Sequence, residues 1–134
     1  QIDLILAPAI GGIVVGYEIG RLLNIETIFC ERVNGRFKLR RGFNINKNLN
    51  VLIIEDVITT GKSCLECVSL VKRAKSKVLG FASIINRSEK SRLKIKNFKI
   101  VSQIKINVPT YKKNNIPNYL KNITVSSPGS RRLK

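Results

Sequence analysis

Hydrophobic and polar residues fall along this chain in blocks whose periodicity switches between that of strands and that of helices. Leu4, Ile5, Leu6 and Ala7 form a short apolar run that stops at Pro8, and the stretch from Ile10 to Leu23 has the length and residue types of a helix. A second apolar run, Thr27 to Cys30, leads into Arg32, Val33, Asn34, Gly35, Arg36 and Phe37. Asn-Gly between residues of alternating character predicts a β-hairpin there, projecting from the domain. Val51 to Ile54 is apolar throughout and rich in β-branched residues, which suits a central parallel strand covered on both faces. Ser63 to Ala74 places Leu65, Val68, Leu70 and Val71 at near-helical spacing. Lys72, Arg73 and Lys75 sit at its C-terminal end, where cations favour the helix dipole. Val78 to Ile85 reads as another buried strand and Phe98 to Ile106 as a later one. Strand and helix alternate, which predicts an α/β fold with a largely parallel central sheet flanked by helices. Past Val108 come three prolines, several asparagines and a Ser-Pro-Gly-Ser segment, so residues 1–108 are expected to form the folded domain and 109–134 an irregular basic tail.

Composition adds limits to that outline. A chain of 134 residues with 43% hydrophobic content can bury one core. Its longest apolar stretch, Ile10 to Tyr17, falls far short of the roughly 20 residues that cross a bilayer, and no secretory leader pattern opens the chain. A cytoplasmic location is the expectation. Met is absent even from position 1, and the chain starts just before a strand, so a fragment lacking its natural N-terminus is also expected. Cys64 and Cys67 form a C-x-x-C with no histidine in the chain and no second pair, which argues for two buried helix positions over a zinc site. The net charge is +17, and the last 45 residues hold twelve cations and no acid. That asymmetry raises nucleic acid as a partner, but the region has no recognisable nucleic-acid motif and no interleaved aromatics. A solvated basic face is the preferred reading.

The most informative segment is VLIIEDVITTGKS, Val51 to Ser63: a buried strand, two acids at its C-terminal end, then a turn of hydroxyls and glycine opening a helix. Open α/β sheets bind ligands at the C-terminal ends of their strands, and a helix N-terminus offers free N–H groups to an anion. Thr59, Thr60 and Ser63 can add hydroxyl donors, Gly61 permits close approach, and Lys62 adds positive charge. A Walker nucleotide loop would require glycine where Asp56 stands, and a carboxylate there repels a polyphosphate. Ionised Glu55 and Asp56 suit the hydroxyls of a sugar whose phosphate lies at the other end, as in ribose 5-phosphate.

With its acidic pair, two apolar residues (Val57 and Ile58) and Thr-Thr-Gly-Lys-Ser, the segment resembles the phosphoribosyl pyrophosphate signature of the type I phosphoribosyltransferases. The wording EDVITTG is most similar to the orotate-using branch. The resemblance implies that Glu55 and Asp56 hold the ribose hydroxyls and that Thr59 to Ser63 cradle the 5-phosphate. LGFASIINRSEK, Leu79 to Lys90, resembles that branch's strand ending in Asp-Arg-Ser, with Asn86 in place of Asp. It implies that Arg87 pairs with orotate and that Thr59 touches the orotate ring as well. ILAPAIGGIVVGYEIG resembles the pyrophosphate-binding turn and its helix, the turn being Ala9, Ile10, Gly11 and Gly12, without the lysine many relatives carry. Gly12, Gly16 and Gly20 recur every four residues, which suits close packing of that helix on the sheet. ERVNGRFKLRRGF, Glu31 to Phe43, corresponds to the mobile catalytic loop, which in the family acts in the neighbouring subunit's site. Here it carries Arg32, Arg36, Lys38, Arg40 and Arg41 and no histidine.

By this resemblance the chain is expected to be the catalytic part of an orotate phosphoribosyltransferase. Such an enzyme is Mg²⁺-dependent and homodimeric, with the metal held through phosphoribosyl pyrophosphate rather than directly. VPTY and SPGSR in the tail extend the likeness, and the segment expected to be missing supplies part of the family's orotate pocket. Two alternatives stand beside it: a regulator of the same fold that binds RNA or DNA, and a purine phosphoribosyltransferase.

Overall fold

The computed structural model describes residues 1–88, 93–95, 97–109 and 111–124. Strand β1 is Leu4–Pro8, followed by helix α1, Gly11–Leu23. Strands β2 (Thr27–Val33) and β3 (Arg36–Leu39) form the hairpin, and β4 (Asn50–Ile58) leads into helix α2, Lys62–Arg73. Strands β5 (Lys77–Asn86) and β6 (Lys99–Lys105) complete a six-stranded sheet in the order β3-β2-β1-β4-β5-β6. All neighbouring pairs are parallel except β2 with β3. The α/β class and the central place of Val51 to Ile54 are as the sequence predicts.

Why β1 and β4 take the middle follows from their side chains. Every residue of β1 is buried, and Val51, Ile53 and Ile54 of β4 are fully covered. Strands apolar on both faces need a layer on each side. Helix α2 supplies one through Cys64, Cys67, Val68, Leu70 and Val71, joined to Leu4, Leu6, Ile28, Ile53 and Phe81 in one core. The other layer is α1, which buries its glycine stripe Gly12, Gly16 and Gly20. A Cβ on Gly16 would lie 2.9 Å from the Cβ of Ala7, and one on Gly20 would overlap the Thr27 hydroxyl. The stripe therefore sets how near the helix lies to the sheet, while Val14 and Tyr17 on the same helix are left exposed.

Cys64 and Cys67 are buried as expected, and Cys67 Sγ lies 3.5 Å from Cys30 Sγ. Burial pushes the Cys64 thiol up to about 12, so it behaves as a packing residue.

The hairpin is present but lies along the sheet as its edge instead of standing away from the domain. Alternation turns Phe37 inward, where it is 5% exposed in the α2-side core, while a Cβ added at Gly35 in the tip would meet open space. In the tail a 3-10 turn covers Lys113–Asn115 and a single helical turn, α3, covers Asn118–Lys121 after Pro117. The SPGSR segment, Thr110 and the Glu89–Lys90 end of the strand-exit motif lie outside the described residues. Among the described residues no helix is long and apolar enough to cross a membrane.

A branched side chain at Gly16 is expected to lower the stability of the protein by about 1–3 kcal/mol in urea titration, because α1 must lift from β1. Val14→Ala, two residues away on the exposed side, should stay within about 0.5 kcal/mol of the parent. Equal effects from the two substitutions would contradict the packing described.

Candidate functional site

Strand order reverses at β1. The chain leaves β1 through α1 to β2 on one side, then returns to β4 on the other. The turns after β1 and β4 therefore meet at one end of the sheet with a crevice between them. Gly11 approaches the Asp56 carboxylate so closely that any Cβ at position 11 would overlap it, and a Cβ on Gly12 would lie 2.8 Å from the Ile54 carbonyl oxygen. The Ala9–Ile10 peptide within this turn is cis.

A cleft of about 270 Å³ opens at this junction, lined by Pro8, Ala9, Gly11, Arg32, Phe37, Glu55, Asp56, Val57, Thr59 and Ser63. A smaller bowl of about 100 Å³ adjoins it, lined by Glu55 and by residues Val57 to Cys64. All nine residues of the Glu55 to Ser63 motif line one or both. Of the turn after β1, Ala9 and Gly11 also face the cleft, whereas Ile10 is 80% exposed and Gly12 is buried against the sheet.

Several features of the bowl suit an anion. Gly61 begins α2 with φ +71°, a left-handed conformation that favours glycine, and no side chain caps the helix. First-turn N–H groups have no acceptor within their own helix, and here the Thr60 hydroxyl reaches only the Lys62 amide, at 3.4 Å. The dipole adds partial positive charge at the same point. Behind the turn the Lys94 amide donates to the Thr60 carbonyl at 3.0 Å, and Ile95, 1% exposed, packs against Gly61. Sequence reading passed over Ile95, because nothing local distinguishes an apolar loop residue that clamps a distant turn.

β4 continues through the acidic pair to Ile58, further than the apolar run suggested, and successive side chains of a strand point to opposite faces. Glu55 faces the α2 side with Ser63, and Asp56 faces the start of α1. Asp56 Oδ1 accepts a hydrogen bond from the Val57 amide at 2.8 Å. Burial, then the neighbouring Asp56 charge, pushes the Glu55 carboxyl from its ordinary 4.5 up to about 8. The sequence suggested two ionised carboxylates; burial instead favours the protonated form of Glu55, which can donate a hydrogen bond as well as accept one.

Arg87 follows β5 at the same end of the sheet. Its amide donates to the Ile58 carbonyl at 2.9 Å, and Asn86 Oδ1 accepts from the Ser88 amide and hydroxyl at 2.9 and 2.6 Å. Asparagine thus supplies the acceptor that shapes this exit. The Arg87 side chain is exposed and lines neither cavity.

The hairpin cations separate into groups. Arg40 and Arg41 pair with Glu31 at 3.3 and 3.2 Å, and Arg36 and Lys38 are exposed. Arg32 alone of the five lines the cleft, and it is the cleft of its own chain. Glu66 of α2 holds it, a residue the sequence reading missed although it lies three positions after Ser63.

A doubly wound sheet with a glycine-led helix start and an acidic pair at its switch point is the architecture of an open α/β domain with its ligand crevice at the strand ends. The phosphoribosyl transferase domain family matches residues 1–116, and the chain belongs to that family. The orotate phosphoribosyltransferase of Thermoanaerobacter sp. is 41% identical over 135 residues, which is 99% of this chain and 69% of that protein. Its counterpart from Chlorobium phaeobacteroides is 44% identical over 133 residues, 98% of this chain and 67% of that protein. Among solved structures, adenine phosphoribosyltransferase from Thermoanaerobacter pseudethanolicus superposes with a TM-score of 0.69 at 18% identity, covering 79% of this chain and 71% of that one. Orotate phosphoribosyltransferase from Aeropyrum pernix gives 0.65 at 15% identity, covering 79% and 62%. At such identities the structures establish the fold.

Because the Glu55 carboxyl titrates higher in the folded chain than in the unfolded one, folding binds a proton between those values. The stability this proton confers is fully present below pH 4.5 and is lost as pH rises to about 8. Glu55→Gln is expected to remove that dependence, so its urea midpoint should gain on the parent from pH 5 to about pH 8 and level off above. Parallel profiles for the two proteins would show that burial of Glu55 carries no such cost.

Proposed function

We propose that this protein is an orotate phosphoribosyltransferase, transferring ribose 5-phosphate from phosphoribosyl pyrophosphate to orotate and releasing pyrophosphate and orotidine 5-phosphate. That is a glycosyl transfer of pyrimidine nucleotide synthesis. The observation that carries the reading is the junction of Gly11 with the Glu55–Asp56 pair beside the uncapped start of α2. It offers a phosphate cradle and hydroxyl acceptors within one cleft. Relatives 41% and 44% identical that bear the orotate enzyme's name favour orotate over a purine.

In this reading the amides and hydroxyls of Thr59 to Ser63 bind the 5-phosphate, and Glu55 and Asp56 orient the ribose. Orientation of the reacting carbon toward the base lowers the barrier without any nucleophilic side chain. Ala9 and Gly11 border the pyrophosphate, and Arg32 supplies positive charge as it departs. Arg87 and Thr59 take the orotate, the guanidinium matching its carboxylate in a planar fork. Mg²⁺ fits the donor chemistry of this cleft, since a hard cation prefers oxygen and Asp56 offers carboxylate oxygen beside the ligand's own. It would be held chiefly through the substrate's hydroxyls and pyrophosphate, and it would neutralise the leaving group's charge. A homodimer in the cytoplasm belongs to the same reading.

Loss of orotate absorbance on mixing the protein with phosphoribosyl pyrophosphate and Mg²⁺ tests it. Turnover with orotate and none with adenine or hypoxanthine is expected; turnover with a purine instead would overturn the base assignment. Asp56→Asn should lower kcat by at least about 100-fold with little change in the urea midpoint, because a half-buried strand-end carboxylate contributes little to the core. Unchanged turnover in that variant would refute its role.

A further inference from the structure

Five cations crowd the hairpin, and only one of them borders the cleft. Arg32 lies directly opposite Phe37 in the β2–β3 ladder, so their side chains share the face that looks toward α2. Its guanidinium lies over the Phe37 ring, 4.1 Å from the centroid. Nη1 donates to the Gly35 carbonyl at 2.7 Å and to Glu66 Oε2 at 2.8 Å, while Nη2 donates to Glu66 Oε1 at 3.0 Å. This is a planar, two-pronged pairing in which guanidinium and carboxylate fix each other's orientation as well as distance.

We infer that Glu66 is a positioning residue: it fastens Arg32 to the helix that carries the phosphate bowl and so holds one cation at the mouth of the cleft. The inference rests on the reading of that cleft as a site for phosphoribosyl pyrophosphate. Glu66 belongs to α2, only a turn beyond Lys62 and Ser63, so the bowl and the anchor of Arg32 move as one rigid element. Without the anchor, an arginine on an edge hairpin has several rotatable bonds and a strongly solvated alternative. With it, the guanidinium stays at the cleft and still has donors to offer. An arginine has five N–H bonds, and the contacts to Gly35 and Glu66 engage both hydrogens of Nη1 and one of Nη2. Among the described residues nothing else engages Nε–H or the second Nη2 hydrogen, which can serve a phosphate oxygen.

Stability does not account for the pair. The two side chains are 34% and 25% exposed, and partly solvated ion pairs contribute little to folding. What the pair fixes is position. The other ion pairs of the hairpin, Arg40 and Arg41 with Glu31, tie it to itself and leave its relation to α2 unspecified. Placement of charge matters here because pyrophosphate is a polyanion entering a cleft whose floor is two carboxyl groups. A cation displaced by an ångström or two loses much of its effect on such a ligand.

The test is calorimetric binding of phosphoribosyl pyrophosphate, with Mg²⁺ and without any base, to the full-length protein and three variants: Glu66→Gln, Arg32→Gln and the double variant. Glu66→Gln is expected to weaken binding by about tenfold while its Tm stays within about 2 °C of the parent. Arg32→Gln should weaken binding at least as much, and adding Glu66→Gln to it should cost nothing further, since the two act as a unit. Glu66→Asp, which keeps the charge on a shorter stem, should recover part of the loss. The inference is overturned by parental affinity in Glu66→Gln, by a loss that adds in full to that of Arg32→Gln, or by a loss accompanied by a large fall in Tm. Binding of phosphoribosyl pyrophosphate without turnover of orotate would sink the base assignment and leave the Glu66 result interpretable. A parent protein that does not bind phosphoribosyl pyrophosphate would overturn both.

Discussion

The structure depends on the reversal of strand order at β1. Because β1 pairs with β2 on one side and β4 on the other, the chain must leave it one way and come back the other. No connection then fills the space above the two strand ends. Two turns face each other across that space, and each is shaped by glycine: Gly11 and Gly12 let the first approach the second, and Gly61 lets the second turn sharply into α2. The glycine stripe of α1 extends the same requirement down the helix. Close seating of α1 on β1 and β4 is what brings its N-terminal turn against Asp56.

Two carboxyl groups stand close enough at this crevice to affect each other, although the pleat of β4 turns them to different faces. Adjacent in sequence, Glu55 and Asp56 lie on opposite sides of the sheet, one beneath α2 and one beside the start of α1. Burial on the α2 side leaves Glu55 protonated near neutrality, which limits the negative charge a phosphate must meet at the bowl. The helix dipole and Arg32 add positive character from the same side. A ligand with phosphates at its ends and hydroxyls between them matches that distribution better than a simple polyanion would.

Much of this was legible in the sequence, for physical reasons that differ from element to element. Apolar runs such as Leu4 to Ala7 and Val51 to Ile54 announce buried strands because two covered faces admit no polar alternation. The turn from Thr59 to Ser63 is readable because its chemistry is local: hydroxyls, a glycine and a helix start. Less readable were features that arise from distant segments meeting. Nothing near Ile95 reveals that it supports Gly61, and the five hairpin cations are indistinguishable until Glu31 and Glu66 select among them. The end of β4 was misplaced for a related reason. Acids rarely continue a buried strand, and here hydrogen bonding to β5 as far as Ile58 overrides that preference.

The central claim is that the two turns form one site for a single ligand. Amide chemical shifts of isotopically labelled protein, followed as phosphoribosyl pyrophosphate and Mg²⁺ are added, test it most directly. Gly11 and Gly12 should move together with Thr59 to Ser63 on one saturation curve, while Val14 and Val101 on exposed surfaces stay still. Shifts confined to one turn, or spread over surfaces away from the crevice, would contradict the account.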